Sequence, residues 1–362
     1  MSLSIVILAA GQGTRMRSRL PKVLQPLAEK PLLGHVLATA HMLGADDVCV
    51  VYGHGAEQVL ATFPGEDLRW ALQAEQHGTG HAVQQAMPGT PGGGQTLILF
   101  GDVPLLTAAT LSRLVTETPA ADMAVLTVDL DDPTGYGRVV RDGNDVVRIV
   151  EQKDASNDEL GIREINTGVM LCPTDHLKAW LDNLDNDNAQ GEYYLTDVIA
   201  MAVADGVTVH GIKAESEEEV MGINDKVQLA AAERALQRRR VNELMQAGVG
   251  FADPARVDIR GTLTCGRDVF IDVNSIFEGT VVLGDGVTIE SNNLLRDSRI
   301  GDETVIHSNC HIEGGSTGVG CEIGPFARMR PGAVLANHVK LGNFVEVKKS
   351  TVDNGSKVNH LT

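Results

Sequence analysis

The sequence predicts two folds in succession, an open α/β sheet over residues 1–224 and a parallel β-helix over residues 249–362. Three observations support this. Short β-rich runs alternate with helical patterns in the first region. Residues 225–248 are dominated by alanine, leucine, glutamate and arginine, which predicts one connecting helix that stops at Gly248. The last region repeats apolar residues every six positions.

Composition limits the function classes. The 362 residues are 43% hydrophobic and 22% charged, as in an ordinary soluble protein of two or three domains. The net charge of −18 argues against nucleic-acid partners and anionic membranes, because a polyanion would be repelled over most of the surface. Five cysteines without a Cys-x-x-Cys pair favour free thiols in a reducing cytoplasm, and a zinc site is not expected.

In the first region we expect a mostly parallel sheet with helices on both faces. The run Leu3–Leu8 is too short for a signal or membrane segment and is interpreted as a buried first strand. Further strands are expected at Val48–Tyr52, Thr96–Phe100, Met123–Val128, Val146–Val150 and Glu164–Leu171. A helix is expected over Pro31–Leu43, with proline in its first turn and Gly44 as its stop.

A glycine-rich, basic loop follows the first strand, with the sequence Leu-Ala-Ala-Gly-Gln-Gly-Thr-Arg-Met over residues 8–16. Gly11 and Gly13 let backbone N–H groups approach phosphate oxygens. The cations that crowd the loop are Arg15, Arg17, Arg19 and Lys22. A dinucleotide fingerprint would need glycine at Met16, and the Gly-Lys-Ser/Thr of a Walker loop is absent. The loop predicts a nucleoside triphosphate site, and a surface turn with basic neighbours is the alternative.

Other polar groups follow predicted strands. Asp102 comes just after the strand that ends at Phe100, where a hard divalent cation could meet triphosphate oxygens, although a turn or capping role is open. Three segments are dense in glycines and hydrogen-bonding groups: Pro133–Arg138, Glu164–Gly168 and Gly191–Asp197. Each could be a structural turn, but together they supply the groups that a polar sugar requires.

The hexapeptide phase of the last region is regular. Its apolar positions are Ile259, Cys265, Ile271, Phe277, Leu283, Ile289 and Leu295, then Ile300, Ile306 and Ile312 after a one-residue slip, then Ile323, Met329, Leu335, Leu341 and Val347. Neither an α-helix nor an alternating strand produces this period, which is typical of a parallel β-helix. A β-sandwich is the alternative, but it would show turn signals every eight to twelve residues without a fixed phase.

Over essentially all 362 residues the chain resembles the bacterial bifunctional N-acetylglucosamine-1-phosphate uridylyltransferase/glucosamine-1-phosphate N-acetyltransferase family. The basic loop and Gly101-Asp102-Val103-Pro104 would fit many nucleotidyltransferases, whereas the sugar segments followed by Gly-Pro-Phe-Ala-Arg-Met-Arg-Pro-Gly (324–332) are more specific. The resemblance implies a Rossmann-like nucleotidyltransferase domain (1–224), a connecting helix (225–248) and a left-handed parallel β-helix acetyltransferase domain (249–362).

The resemblance also implies a first reaction, in which UMP passes from UTP to N-acetylglucosamine 1-phosphate. The implied UTP-binding residues are Leu8, Ala9, Ala10, Gly11, Gly13, Lys22, Gln73, Gly78 and Thr79, with Arg15 on the phosphates. The implied sugar-phosphate residues are Phe100, Gly101, Gly137, Glu151, Asn166, Tyr194, Thr196 and Asn224. Asp102 and Asn224 would ligate Mg²⁺. One departure is Phe100, where the family can carry tyrosine.

A second implied reaction acetylates glucosamine 1-phosphate with acetyl-CoA. Arg330 and Lys348 match the family's sugar-phosphate-binding positions, and His360 matches its general base. A neutral imidazole could take a proton from the attacking amine near neutral pH. Without the resemblance, His360 would be interpreted as a solvated surface residue.

The sequence ends at Thr362, whereas the family continues with a tyrosine and further coils that complete the acetyl-CoA pocket. We therefore expect an incomplete acetyltransferase domain with impaired acetyl transfer. The resemblance further implies a cytoplasmic homotrimer. Two alternatives are a pyrophosphorylase for another sugar or nucleotide, and a non-catalytic scaffold that only binds a ligand. The joint presence of Arg15, Lys22, Asp102 and Asn224 argues against the scaffold.

Overall fold

The computed structural model describes residues 2–65, 67–188 and 190–361. The chain forms two compact units, with the boundary between Ala232 and Glu233. Among the described residues, no helix combines the length and the apolar character that crossing a membrane requires.

The first unit is an α/β structure. Its strands are β1 (Leu3–Leu8), β2 (Pro26–Leu27), β3 (Lys30–Pro31), β4 (Asp47–Tyr52), β5 (Arg69–Leu72), β6 (Gln95–Phe100), β7 (Met123–Asp129), β8 (Arg138–Asp142), β9 (Asp145–Val150), β10 (Glu164–Pro173) and β11 (Val209–Lys213). Its helices are α1 (Leu32–Met42), α2 (Ala56–Thr62), α3 (Thr79–Ala86), α4 (Ala108–Glu117), α5 (Asn157–Leu160), α6 (Thr174–Asp182) and α7 (Asp197–Ala204). The expected strands and the expected first helix are present.

The main sheet has the strand order β5-β4-β1-β6-β10-β7-β11-β9-β8. The expectation of a mostly parallel sheet was wrong, because only one half is parallel throughout. Strands β5, β4, β1 and β6 are mutually parallel, whereas β10 runs antiparallel to both β6 and β7. Strands β8 and β9 are joined by a turn at Gly143, and so tight a connection can join only antiparallel strands.

Helices cover both faces of this sheet, as expected. On one face, α3, α6 and α7 contribute Val83, Leu177 and Val198 to a buried cluster. On the other face, α1, α2 and α4 contribute residues such as Leu33 and Leu111 to a second buried cluster. The sheet is therefore buried on both sides, and its strand ends are the places where loops can form a site.

The expected connecting helix is α8 (Lys226–Gln246). The Asp225 side chain starts it, since Oδ1 accepts the backbone N–H groups of Val227 at 2.9 Å and Gln228 at 2.8 Å. Gly248 follows its end with φ of +100°. The boundary between the two compact units falls inside this helix.

The second unit is a parallel β-helix. Its strands are β12 (Gly250–Phe251), β13 (Val257–Cys265), β14 (Phe270–Ile271), β15 (Ser275–Leu283), β16 (Thr288–Ile289), β17 (Leu294–Arg296), β18 (Arg299–Ile300), β19 (Val305–Ile306), β20 (His311–Glu313), β21 (Ser316–Thr317), β22 (Glu322–Ile323), β23 (Arg328–Met329), β24 (Val334–Leu335), β25 (Lys340–Leu341), β26 (Glu346–Val347), β27 (Thr351–Val352) and β28 (Lys357–Val358).

Every strand pairing in this unit is parallel, which excludes the β-sandwich, because sandwich sheets are antiparallel. One face stacks Ile271 on Ile289 and Ile289 on Ile306, so that successive coils take 18 and 17 residues. The 17-residue coil explains the one-residue slip in the sequence. The hexapeptide positions form the core, except that Cys265 is only partly buried.

Two phenylalanines give a matched test of this core. Phe277 is 1% exposed and Phe270 is 42% exposed. We expect Phe277→Ala to lower the free energy of unfolding by about 3–5 kcal/mol, because it leaves a cavity inside the coil stack. The control Phe270→Ala should cost about 1 kcal/mol or less. Urea unfolding checks both, and equal losses would contradict the stacking.

Candidate active site

Two pockets meet at the carboxyl ends of β1 and β6. The first has a volume of about 240 Å³ and is lined by Leu8, Ala9, Ala10, Gly11, Lys22, Val23, Gln73, Gln76, Gly78, Thr79, Ala82, Phe100, Asp102 and Glu192. The second has a volume of about 190 Å³ and is lined by Phe100, Asp102, Val103, Val128, Leu130, Tyr136, Ile165, Asn166, Thr167, Glu217, Val220, Met221, Gly222 and Asn224. Phe100 and Asp102 line both pockets.

The parallel pairing of β1 with β6 creates this junction. Leu8 lies in register with Phe100, and the two strands end together. Just beyond them, the backbone N–H of Gly101 donates to Leu8 O at 2.9 Å. The basic loop and the Asp102 turn therefore leave the sheet side by side.

A lysine ammonium sits between two oxygen acceptors at the junction. Lys22 Nζ donates to Asp102 Oδ2 and lies 3.2 Å from Asn224 Oδ1. The Lys22 and Asp102 side chains are 12% and 16% exposed, so the pair is largely shielded from water. Because partly buried ion pairs are weakly screened, this contact holds three distant parts of the chain together.

The segment that carries Asn224 is tied to the Asp102 turn. Ile223 N donates to the backbone oxygen of Asp102 at 2.9 Å. Glu219, which is 2% exposed, accepts from Thr107 N at 3.0 Å and from Thr107 Oγ1 at 2.7 Å. These bonds place Asn224 opposite Asp102, just before Asp225 starts α8.

The wall of the first pocket is built at the beginning of α3. Gly78 has φ of +110°, and a Cβ there would lie 2.6 Å from Tyr193 O. Gly80 N donates to that same oxygen at 2.8 Å, and Thr79 Oγ1 accepts Leu195 N at 3.1 Å. Glycine at position 78 is therefore required for the segment Gly191–Asp197 to pack against α3.

The second pocket depends on β10. Asn166 N donates to Gly137 O at 2.9 Å, which joins two of the polar segments. Gly168 has φ of +87°, and a Cβ there would lie 2.6 Å from the Phe100 ring. The ring can form the wall between the pockets because residue 168 has no side chain.

Three of the expected sugar residues, Glu151, Tyr194 and Thr196, cluster beside this site. They are absent from the described lining of both pockets. Burial raises the pKa of Glu151, the carboxylates of Asp154 and Asp197 raise it further, and a hydrogen bond with Thr196 opposes the shift. The structure brings these residues together as an acidic, hydrogen-bonding group.

The basic loop is only partly directed at the pocket. Gly13 has φ of +60° and packs on the Lys22 side chain, where an added Cβ would lie 2.5 Å from Lys22 Cβ. Arg15 lies in a 3₁₀ turn, Thr14–Met16, and is exposed. In the described structure Arg15 is not among the residues that line either pocket.

In the second unit, Arg330 and Lys348 lie side by side, because the strand pairing places Met329 beside Val347. Arg330 Nη1 donates to Glu346 Oε1 at 3.0 Å, and Lys348 is exposed. His360 is also exposed and lies in the last coil that the structure describes.

The chemistry at the junction fits Mg²⁺. No cluster of three or more acidic, histidine or cysteine side chains suited to a metal occurs in the described part of the chain. Mg²⁺ needs fewer protein ligands than that, since it is usually held by one or two carboxylates together with substrate phosphates. Asp102 and Asn224 both direct an oxygen at the Lys22 cation, and a carboxylate and an amide oxygen are ligands suited to such an ion.

Some lining residues were not found by sequence reasoning. Gln76 and Val23 line the first pocket, and the stretch 220–222 lines the second. These residues carry no motif, and only their place beside the strand ends identifies them. Their only signal is nearness in the sequence: Val23 follows Lys22, and Gln76 lies between Gln73 and Gly78. The stretch 220–222 lies just before Asn224.

Residues 5–159 match the MobA-like NTP transferase domain. A glucose-1-phosphate thymidylyltransferase of Bacillus anthracis superposes with a TM-score of 0.52 at 18% identity, over 65% of this chain and 95% of that one, which supports the fold alone. The Bifunctional protein GlmU of Herminiimonas arsenicoxydans is 56% identical over 99% of this chain and 80% of its own length.

The same protein of Acinetobacter baumannii is 52% identical over 100% of this chain and 80% of its own length. The chain belongs to the bifunctional GlmU family. This GlmU-family chain is a nucleotidyltransferase for UDP-N-acetylglucosamine synthesis and carries the family's acetyltransferase architecture.

Two glycines test how Lys22 is positioned. Gly13 and Gly44 have φ of +60° and +64°, but a Cβ at Gly44 meets nothing within 4 Å. We expect Gly44→Ala to cost about 1 kcal/mol of stability, from backbone strain alone. Gly13→Ala should cost about 2–3 kcal/mol, because the clash with Lys22 adds to the same strain. Thermal unfolding measures both, and equal costs would show that Gly13 does not position Lys22.

Proposed function

We propose that the two pockets hold the two reactants of uridylyl transfer, with UTP in the first and N-acetylglucosamine 1-phosphate in the second. The observation that carries this proposal is the meeting of Lys22, Asp102 and Asn224 where the pockets join. The α-phosphorus of UTP must lie within reach of the attacking sugar phosphate, and this junction is the point that both pockets share. We also keep 1–224, 225–248 and 249–362 as the proposed domain division.

The nucleotide would rest on strand-end backbone and on α3. Residues Leu8–Gly11 line this pocket together with Gln73, Gly78 and Thr79, and a Cβ at Gly11 would meet nothing within 4 Å. Lys22 would bind phosphate oxygens, and the exposed side chain of Arg15 would reach them from solvent.

The sugar phosphate would lie against Phe100 and Asn166. The cluster of Glu151, Tyr194 and Thr196 would supply acceptors for sugar hydroxyl groups. Gly137 packs closely beside this cluster, because a Cβ there would lie 2.8 Å from Ile149 and 3.4 Å from Glu151 Oε1. The site is thus acidic where the sugar is expected and cationic where the phosphates are expected.

The reaction needs no covalent nucleophile. The phosphate oxygen of the sugar attacks the α-phosphorus of UTP, a new P–O bond forms, and the bond to pyrophosphate breaks. When bound to Asp102 and Asn224, Mg²⁺ would neutralise phosphate charge. Lys22 would release Asp102 and turn its ammonium to phosphate oxygens, where it stabilises charge on the leaving group.

We further propose that the β-helix binds glucosamine 1-phosphate, the acetyl acceptor of the family's second reaction, in which acetyl-CoA is the donor. Arg330 and Lys348 are adjacent cations suited to the sugar phosphate, and His360 would act as general base. We also propose that the protein assembles as a homotrimer in the cytoplasm.

Asp102 provides the decisive test of the first activity. We expect Asp102→Asn to lower Mg²⁺-dependent pyrophosphate release at least about hundredfold, because the charge that holds both the cation and Lys22 is lost. A matched control is Asp122→Asn. Asp122 is also partly buried, but it lines neither pocket, and its Oδ2 lies 2.8 Å from His210 Nε2. The same assay should identify UDP-N-acetylglucosamine as the product of the wild-type chain. An Asp102→Asn rate near the control's would exclude the proposed metal site.

The two activities should separate by substitution. Lys348→Ala should weaken binding of glucosamine 1-phosphate about tenfold, because one charge-assisted contact is lost, and should leave uridylyl transfer unchanged. Lys340→Ala is the control, since Lys340 pairs with Glu322 on another face of the coil. Isothermal titration and the uridylyl assay together check this, and loss of uridylyl transfer in Lys348→Ala would contradict it.

A further inference from the structure

We propose that His81 is a positioning residue that fixes the orientation of the Gln73 amide and thereby sets the preference for a uracil base. This inference rests on the proposed function, because it requires the nucleobase to lie beside Gln73. His81 itself is not among the residues that line the first pocket, so it acts through Gln73 rather than by contact.

The contacts of Gln73 determine which end of its amide faces the pocket. Gln73 is 3% exposed, and its Nε2 lies 3.2 Å from Gly78 O and 3.1 Å from His81 Nδ1. A backbone carbonyl can only accept, so Nε2 must donate to Gly78. The second hydrogen of Nε2 is then directed at His81 Nδ1, which accepts it when that nitrogen carries no proton.

Both hydrogens of the Gln73 amide are used in this arrangement. The group that remains for a ligand is the carbonyl oxygen Oε1, which is an acceptor. Uracil carries an imide N–H that can donate to it. Cytosine presents an unprotonated ring nitrogen at the equivalent position, and two acceptors facing each other would leave both unsatisfied.

The surroundings of His81 favour the neutral imidazole. Burial lowers the pKa of His81, the neighbouring His77 lowers it further, and Glu75 opposes the shift through a backbone hydrogen bond and its charge. The His77 and His81 rings lie 5.1 Å apart, and His77 Nε2 pairs with Glu75 at 2.8 Å. Neutral His81 keeps Nδ1 available as an acceptor.

Other titratable groups around α3 lie on the facing segment or further along the helix. Tyr193 faces His81 at 6.4 Å between ring centroids, and Glu192 lines the first pocket. At the far end of α3, Arg69 donates to Ala86 O and pairs with Asp47, while Lys178 and Asp182 of α6 lie beside Gln84. His77 and Glu75 are therefore the charges that act on His81 most directly.

Protonation of His81 would remove one of the two contacts that fix the Gln73 amide. With a proton on Nδ1, the ring can no longer accept from Nε2, so only Gly78 O still holds that nitrogen and Oε1 is presented to the base less firmly. The affinity for UTP should therefore be full above the His81 pKa and fall as the pH drops through it. Discrimination against CTP should fall in the same range.

The test compares KM for UTP and for CTP in the full chain, with kcat and the KM for N-acetylglucosamine 1-phosphate as internal references. His81→Leu removes the acceptor and should raise KM for UTP about tenfold at pH 8, with kcat within about twofold. His81→Asn should restore KM to within about threefold, because Asn Oδ1 can occupy the place of Nδ1. His81→Gln, whose oxygen lies one bond further out, should resemble His81→Leu.

The pH profile separates positioning from a merely structural role. Wild-type KM for UTP should rise at low pH, and this rise should be absent in His81→Asn. His77→Asn removes the ring that lowers the His81 pKa, so this pKa and the midpoint of the profile should move to higher pH. Since His77 is exposed, its variant should keep the wild-type KM at pH 8.

The outcomes are distinguishable. If the wild type forms no UDP-N-acetylglucosamine from UTP, the proposed function fails and this inference fails with it. If the wild type is active but His81→Asn is as impaired as His81→Gln, or its pH profile matches the wild type, the inference alone is overturned. Should His81→Leu not fold, the comparison of the asparagine and glutamine variants still decides.

Discussion

The contact of the Lys22 ammonium with two oxygen acceptors at the edge of the main sheet organises the first unit. Lys22 comes from the basic loop, Asp102 from the turn after β6, and Asn224 from the approach to α8. The Asp102 carboxylate is charged and largely shielded from water, so a cation beside it is weakly screened and stabilises it, and Asn224 Oδ1 is a second acceptor for the same ammonium. The three segments therefore meet at the positive charge of Lys22. Lys22 supplies that charge in the structure, and the same two oxygens would suit the metal ion of the proposed function.

The second unit meets a different constraint, that of repetition. Each coil must place an apolar residue above that of the coil before it, and parallel pairing transmits any change of length to the next coil. A coil of 17 residues keeps the stack intact because the residue is lost at the turn 297–298 between β17 and β18, where two residues face the three residues 279–281 of β15. This is why the hexapeptide phase can slip by one residue and still leave Leu295 and Ile300 buried.

Much of this could be predicted from the sequence, because the signals were local or periodic. The hexapeptide phase gave the β-helix, and glycine and charge density gave the basic loop. The direction of β10 could not be predicted, since its apolar run is the same in either orientation. The meeting of Asp102 with Asn224 was implied only by the family resemblance, because tertiary folding brings together residues that are far apart in the chain. The contribution of 220–222 had no local signal at all.

Phe100 packs against the buried clusters on both faces of the sheet and also separates the two pockets. The backbone of Gly168 packs against this ring, because residue 168 has no side chain. A substitution of Phe100 would therefore alter both pockets. Substitution of a residue that lines only one pocket changes that pocket alone, whereas substitution of Phe100 changes the shape of both pockets.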